Sequence, residues 1–583
     1  MRARPFLIGH SQDETALLDV AVQGNIGAVE KSRPLQLTAE DLQTHVHGIG
    51  ASRSGKSKLI EWTAREWIRN RQGFCLIDPH GHLYYDLLAW LAYTDMDREI
   101  ILFDPSYEGR VVGFNPFRKG DGDIGVQVDR LIKATVKAWG ATDTDETPRL
   151  ERWLRCIYQT VIEGGYSIDT ARYLISWTKE AIRDRMIAGV SSELIRDEWV
   201  GLASYKRPQD FDEQLESSRN RLFRFLTHDR IRRIMGLPTN NLDLGDIIEN
   251  GKILLVNLQP SDVLSEDNAR LLGTLLLSEI WDVCMRRRRD QWGRAPSDWF
   301  LVIDEFQKFL TPDVPLMLDQ AGKYGLHLFL FHQHLGQLRE RDPLAYDAVM
   351  TNARVKLVFG GLSRDDARTM VGEIFPGQVD LKRVKFYIEQ TKFWPVYRRD
   401  TVRMRSSGHG SGTGLLAGTS WNPHLEEWVP SSGTSDSFFE GQQEGSADIP
   451  IFYPVPFKEI TSITTYSLEE MLWQLADRLM LQYQRHFMIH RPGQPTVAAI
   501  TPFVRTWYVR SEAARGYMEN RLSGFLTPGE VDAELRKVHE SLAQDTEPRV
   551  AAEREPGQPV AGVKLKDSPI PKRAAKRPPG GGH

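Results

Sequence analysis

Short apolar runs of four to seven residues recur along the chain, most of them closed by Gly, Pro, Asp or Asn, and several alternate with longer stretches of helical periodicity. Residues 46–49 form one such run, and residues 58–69 then place Leu59, Ile60, Trp62, Ala64, Trp67 and Ile68 at helical spacing with polar positions between. Further runs lie at residues 73–77, ending in the turn Asp78-Pro79-His80-Gly81, and at 100–103, stopped by Asp104 and Pro105. After a long gap they resume at 252–257, 299–303, 327–331 and 355–359, with a long helix expected over about 268–287. Strands alternating with helices predict a largely parallel sheet in an α/β fold.

The pattern elsewhere divides the chain. Residues 1–40 carry apolar runs at 6–8, 17–22 and 35–37 and read as a small N-terminal β preface. Residues 122–246 show helical periods rich in Arg and Trp, at 149–162, 168–185 and 211–235, with no strand; this predicts an inserted all-α domain between two core pieces, 41–121 and 247–375. Residues 376–448 read as a connecting segment, and 405–448, dense in Gly and Ser, as a flexible loop or linker. Residues 449–544 read as a smaller α+β C-terminal region. It has an amphipathic helix at 467–482, a hairpin around Arg491-Pro492-Gly493-Gln494-Pro495, and a capped helix starting at Thr527-Pro528-Gly529-Glu530. Residues 545–583, rich in Pro, Gly and charge, read as disordered.

Between the first core run and its helix lies Gly50-Ala51-Ser52-Arg53-Ser54-Gly55-Lys56-Ser57, the pattern G-x-x-x-x-G-K-[ST]. Glycines let such a backbone curl its N–H groups toward phosphates, and the helix that follows points its positive end at them. The cofactor-binding set is Gly50 through Ser57 with Lys58, with Lys56 reaching the β- and γ-phosphates of ATP and Ser57 ligating Mg²⁺. Residues 299–303 deliver Asp304 and Glu305 at their end: Asp304 to hold Mg²⁺, Glu305 to orient and deprotonate the attacking water. Gln333, ending the next run, is either a γ-phosphate sensor or a satisfied polar cap. The cluster at residues 286–289 either touches DNA phosphates or stabilises its own helix end. His45 with His47, His80 with His82, and His332 with His334 are spaced by one residue but lack partners suited to metal binding.

With 583 residues, 41% hydrophobic and 26% charged, the chain has ordinary globular composition and room for several domains. A net charge of −4 gives no overall basic signature, so nucleic-acid contacts must be local or assembled in an oligomer. Cys75, Cys156 and Cys284 form no C-x-x-C pair, which excludes a disulfide framework and suits a reducing cytoplasm. No run approaches the ~20 apolar residues of a membrane helix, so the expectation is a chain with neither signal peptide nor anchor.

These residues together resemble the HerA/FtsK superfamily of hexameric DNA-pumping ATPases, and within it type IV secretion coupling proteins of the TraG/TraD kind. The carriers are residues 50–57, Asp78-Pro79-His80-Gly81, Phe114-Asn115-Pro116, Ile303-Asp304-Glu305-Phe306, and Gln333 with Gln337-Leu338, spread over roughly residues 40–375. The resemblance implies a RecA-like P-loop NTPase core, ATP and Mg²⁺ as cofactors, a homo-hexameric ring around DNA, and as further partners a relaxase or a membrane-embedded secretion component. It also implies an arginine from the neighbouring subunit at each site. Family members often carry Arg-Lys before an aromatic-Gly-Leu; this chain has Gly322-Lys323-Tyr324-Gly325-Leu326, leaving Lys323 and Arg354 as the candidate trans-acting cations. Coupling proteins typically carry N-terminal transmembrane helices, and without them the chain would work in the cytoplasm or dock on a membrane partner. The other readings are a protein-secretion or pilus-assembly ATPase, and a nucleotide-gated scaffold that binds a partner through the helical insertion and tail.

Overall fold

The computed structural model describes residues 4–11, 33–94, 96–120, 122–139, 148–237, 242–287, 295–376, 382–406, 412–422, 424–437 and 443–544. The runs expected at 17–22 and the tail 545–583 lie outside these residues. Strands β1 (Phe6–Ser11), β2 (Arg33–Leu37), β3 (Val46–Ile49), β4 (Gly73–Asp78), β5 (Ile100–Phe103), β6 (Ile253–Asn257), β7 (Trp299–Ile303), β8 (Leu326–His332) and β9 (Val355–Phe359) arise where apolar and β-branched residues run without a helical period. Four more, β10 (Val384–Ser406), β11 (Gly412–Asn422), β12 (Glu427–Ser437) and β13 (Gln443–Thr465), precede β14 (His486–His490) and β15 (Val497–Ile500).

One 11-stranded sheet runs in the order β2-β1-β15-β14-β9-β3-β8-β7-β4-β6-β5. From β9 to β5 every neighbour is parallel, and these strands are buried on both faces, as helix-covered parallel strands are. Trp67, on the helix Lys56–Arg69, stacks on Phe300 of β7 at 4.3 Å, tying the helix after the first core strand to the middle of the sheet.

The N-terminal preface and the C-terminal region are not separate units. β14 pairs antiparallel with β9, β15 with β14, β1 with β15 and β2 with β1, so both chain ends extend the core sheet. The sequence pattern could not show this, because a strand's partner is set by long-range packing and leaves no local periodicity.

Between β5 and β6 the elements among the described residues are helices, running from Ile124–Ala138 to Leu244–Glu249. Arg233 of this insertion makes two 2.9 Å bonds to Asp532 on the C-terminal helix Pro528–Gln544. The segment expected as a flexible linker is instead strand over its described part: β10 pairs antiparallel with β13 from Val384↔Thr465 to Ser406↔Gln443, and β11 pairs with β12. Gly and Ser content predicted flexibility there, but cross-strand pairing of Trp394, Val396 and Tyr397 with Val455, Tyr453 and Phe452 overrides it.

Lys356, on β9, is a cation inside this core. Its side chain is 4% exposed, donates to the Met350 carbonyl at 2.5 Å and lies 3.6 Å from Glu373. Burial pulls its pKa down to about 8. A folded-state pKa below the unfolded value penalises the fold below pH 8, and the penalty fades as pH rises toward 10.5. Lys356→Met is therefore expected to stabilise the chain by about 1 to 3 kcal/mol at pH 7, with the gain shrinking by pH 10. Denaturant unfolding at the two pH values checks it.

Candidate nucleoside triphosphate site

The loop after β3 is held from two sides. Ala51 N–H donates to the Gly360 carbonyl at 3.1 Å beyond β9, and Arg485 N–H donates to the Ser54 carbonyl at 2.8 Å just before β14. Gly55 has φ +115°, and a Cβ there would meet the Arg485 backbone at 2.8 Å, so only glycine serves. Arg485 and the C-terminal strands thus buttress the loop, a contact that sequence reasoning missed and that no local signal announces.

Lys56 opens the helix and is buried; its Nζ donates to the Gly50 carbonyl and, at 3.0 Å, to that of Ala51. Burial lowers its pKa, while Asp304 and Glu305 act in the opposite sense, which places both carboxylates in its field. Ser57 is exposed, and the buried Ser54 hydroxyl has no hydrogen-bond partner among the described residues. The Lys58 side chain turns away, to Glu61 at 2.7 Å and Asp86 at 2.8 Å, so its share in phosphate binding reduces to its backbone N–H.

Asp304 and Glu305 follow β7, whose parallel neighbours β4 and β8 bring their own C-terminal ends alongside. Glu305 sits in the left-handed region, φ 48° and ψ 49°, which turns the chain out of the strand's pleat. One Glu305 oxygen accepts from Gln333 Nε2 at 2.7 Å, the other from Gln307 Nε2 at 2.7 Å. Gln307 in turn lies 3.3 Å from Gln337 and its carbonyl accepts from Arg341 at 2.9 Å. The sensor candidate and the base candidate are therefore directly bonded. Gln307, two residues past the Asp-Glu pair, was not foreseen.

Burial, reinforced by Glu305 and Asp78, pushes the Asp304 carboxyl up to about 7. Asp78 accepts from the N–H groups of His80 at 2.9 Å and Tyr84 at 3.0 Å, capping the turn into the helix His82–Thr94. Crowded carboxylates with one lysine favour a hard cation, and an exposed hydroxyl plus one carboxylate is the sparse protein donor set Mg²⁺ takes beside nucleotide phosphates. Among the described residues no group of three or more His, Cys, Asp or Glu could hold a metal alone.

Two of those histidines meet across the sheet. His47 Nε2 lies 2.6 Å from His332 Nε2, and the rings stack at 4.9 Å. His332 Nδ1 faces the His334 carbonyl at 3.1 Å and so carries the proton; its Nε2 must then accept, and His47 Nε2 donates. His47 Nδ1 is left without a partner among the described residues. Burial holds His332 down to about 3 and His47 well below its ordinary value, so both rings are neutral. The pair pins the strand before the phosphate loop to the strand before Gln333.

Lys323 and Arg354 are exposed, but at the other end of the sheet, before β8 and β9. The seven residues of β8 span ~23 Å, so neither cation lies at its own chain's site. In the arginine cluster, Arg286 pairs with Asp282, and Arg287 is buried, donating to the carbonyls of Tyr324 and Ser297. Arg286 thus pairs within its own helix, and Arg287 ties the helix end to the segments before β7 and β8; residues 288 and 289 lie outside the described residues.

Loop, carboxylate pair and Gln333 stand together at the C-terminal edge of a parallel sheet, the arrangement of a P-loop fold with a RecA-like core. The chain resembles type IV secretion coupling proteins: residues 299–392 match the family model for the TraM recognition site of TraD and TraG. The fold is similar to that of the plasmid coupling protein TrwB in complex with a non-hydrolysable ATP analogue. That match has 13% identity over 88% of this chain and 96% of that one, TM-score 0.48. TrwB with ADP and Mg²⁺ matches at 13%, 88% and 96%, TM-score 0.44. VirB4 of Thermoanaerobacter pseudethanolicus matches at 11%, 63% and 87%, TM-score 0.37. None of the curated proteins matches the chain in sequence. Among the described residues no helix is long and apolar enough to cross a membrane.

Replacing Gln333 by Leu removes one of two donors that fix Glu305. Turnover of ATP is expected to fall about 10- to 100-fold with nucleotide affinity unchanged; steady-state kinetics beside a fluorescent-nucleotide titration separate the two.

Proposed function

We propose that the chain is a Mg²⁺-dependent ATPase that drives DNA through a ring of its own copies, as a motor of conjugative or other mobile-element transfer. The observation that carries the reading is Glu305, turned out of its strand, held by Gln333 and Gln307, and within the field of the phosphate-loop lysine. A base so held can orient a water for in-line attack on a γ-phosphate, and its contact to Gln333 links that water's position to the next strand. Lys56 and the loop N–H groups would bind the phosphates, and Ser57 and Asp304 would hold Mg²⁺, which would supply positive charge beside the transferred group.

The trans-acting cation follows from position. Lys323 and Arg354 stand at the sheet edge remote from their own loop, where each could serve only a neighbour's site. Arg354 suits the role better, because its planar charge bridges two phosphate oxygens. DNA as the cargo and a relaxosome component as partner rest on the resemblance to coupling proteins and on the family matched over residues 299–392.

Lys56→Ala and Glu305→Gln are each expected to abolish ATP turnover that duplex or single-stranded DNA stimulates in the parent chain. Robust turnover in either variant, or a parent indifferent to DNA, overturns the reading. A mixing experiment addresses the cation: Lys56→Ala and Arg354→Ala, each inactive alone, should recover part of the activity when combined. An interface with Lys56 from one subunit and Arg354 from the other is then intact.

A further inference from the structure

The ribbon of β10 and β13 leaves the core between the helices Arg364–Ile374 and Leu468–Met480 and carries an apolar face that none of the described residues covers. Strand alternation puts Phe386, Ile388, Trp394, Val396, Tyr453 and Val455 on that face, with Trp394 opposite Val455 and Val396 opposite Tyr453. All six are exposed, Trp394 at 64%. The opposite face also exposes apolar side chains, Tyr387, Tyr397, Ile460 and Ile463, and there Trp421 of β11 stands edge-on to Phe393 at 6.5 Å. Side chains of this size, about half exposed, present on the order of 600 to 900 Å² in one stripe. A monomer rarely exposes so much, and a lone two-stranded ribbon is marginal in water.

Three observations narrow the occupant. First, the Pro395↔Pro454 pair cannot be of the hydrogen-bonded kind, since neither residue can donate, and this fixes the phase of the continuous ladder. Pro450, Pro454 and Pro456 then all fall where β13 would send N–H groups outward, so the β13 edge is unsuited to an added strand. Second, Lys385 pairs with Glu470, Lys392 with Glu459 and Lys458 with Glu389, at 2.6 to 2.8 Å, so these lysines do not form a cationic surface for phosphates. Third, the charges on the apolar face balance: Lys392 and Arg398 against Asp400 and Glu459. Such a face meets a copy of itself without net repulsion, and two copies together bury about 1,200 to 1,800 Å², the size of a standard stable interface.

We infer that this ribbon is a self-association arm, the uncovered face of one chain packing on the same face of a second copy about a two-fold axis. The contact is independent of the ring in which the ATPase site is completed. Its test is the mass of the full chain by sedimentation velocity, without nucleotide or DNA, against the triple variant W394S/Y453S/V455S. A second variant has residues 386–463 replaced by a two-residue turn, which the paired positions Val384 and Thr465 permit. Both variants are expected to keep nucleotide binding and to fall to half the parent's mass or less. A parent that is monomeric at every concentration overturns the inference. So does an unchanged mass in both nucleotide-binding variants, or loss of binding to duplex DNA or anionic vesicles with the mass unchanged.

Discussion

The parallel pairing of β3 with β8 and of β8 with β7 is the constraint on which the site depends. In a parallel sheet all strands end at one edge, so the phosphate loop, Asp304 with Glu305, and Gln333 are delivered together without any loop having to find them. The neutral hydrogen bond between His47 and His332 locks that arrangement at its last rung. A proton there would have to enter a fully buried pair already disfavoured by Lys56 and Lys356, so the lock holds through the physiological pH range.

Most of what the sequence made legible is local. The loop and its helix are written in residues 50–69, and the strand ending in Asp304-Glu305 in seven consecutive positions, because phosphate cradling and strand burial both need particular residue types close together. Gln333 was legible as a polar residue ending a strand, but its bond to Glu305 was not. That bond depends on the strand order, which only the assembled sheet decides. Chain-distant contacts failed for the same reason: Arg485 against Gly55, and β14, β15, β1 and β2 in the core sheet, link segments hundreds of residues apart and leave no periodicity to read. The Gly- and Ser-rich stretch misled in another way, since composition describes an isolated segment and the aromatic pairs beside it decide its conformation.

The incorporation of both chain ends alters how the loop can move. Ala51 is bonded to the backbone after β9 and Ser54 to the backbone before β14, so the loop joins a strand near the middle of the sheet to one contributed by the C-terminal region. The same region reaches the helical insertion through Asp532 and Arg233, and the β5 side of the core through Arg521, which donates to the Arg98 carbonyl at 2.7 Å. The C-terminal region is thus in direct contact with the phosphate loop, the insertion and the β5 side of the core.

The charges at the site are weighted toward the negative. Asp78, Asp304 and Glu305 gather around Lys56, and burial already resists ionisation of Asp304. A triphosphate adds several negative charges to this pocket, which Lys56 and one divalent cation offset only in part. Among the described residues at the same edge, Arg341 is committed to the Gln307 carbonyl and Lys58 to two carboxylates, while Arg53 lies exposed in the loop itself and Lys308 shares the surroundings of His80 with Glu305. Lys323 and Arg354 are exposed but stand a strand's length away. Under the proposed function, Arg53 and Lys308 are the cations that could add to Lys56 within one chain, and Lys323 and Arg354 those that could do so only from a neighbour.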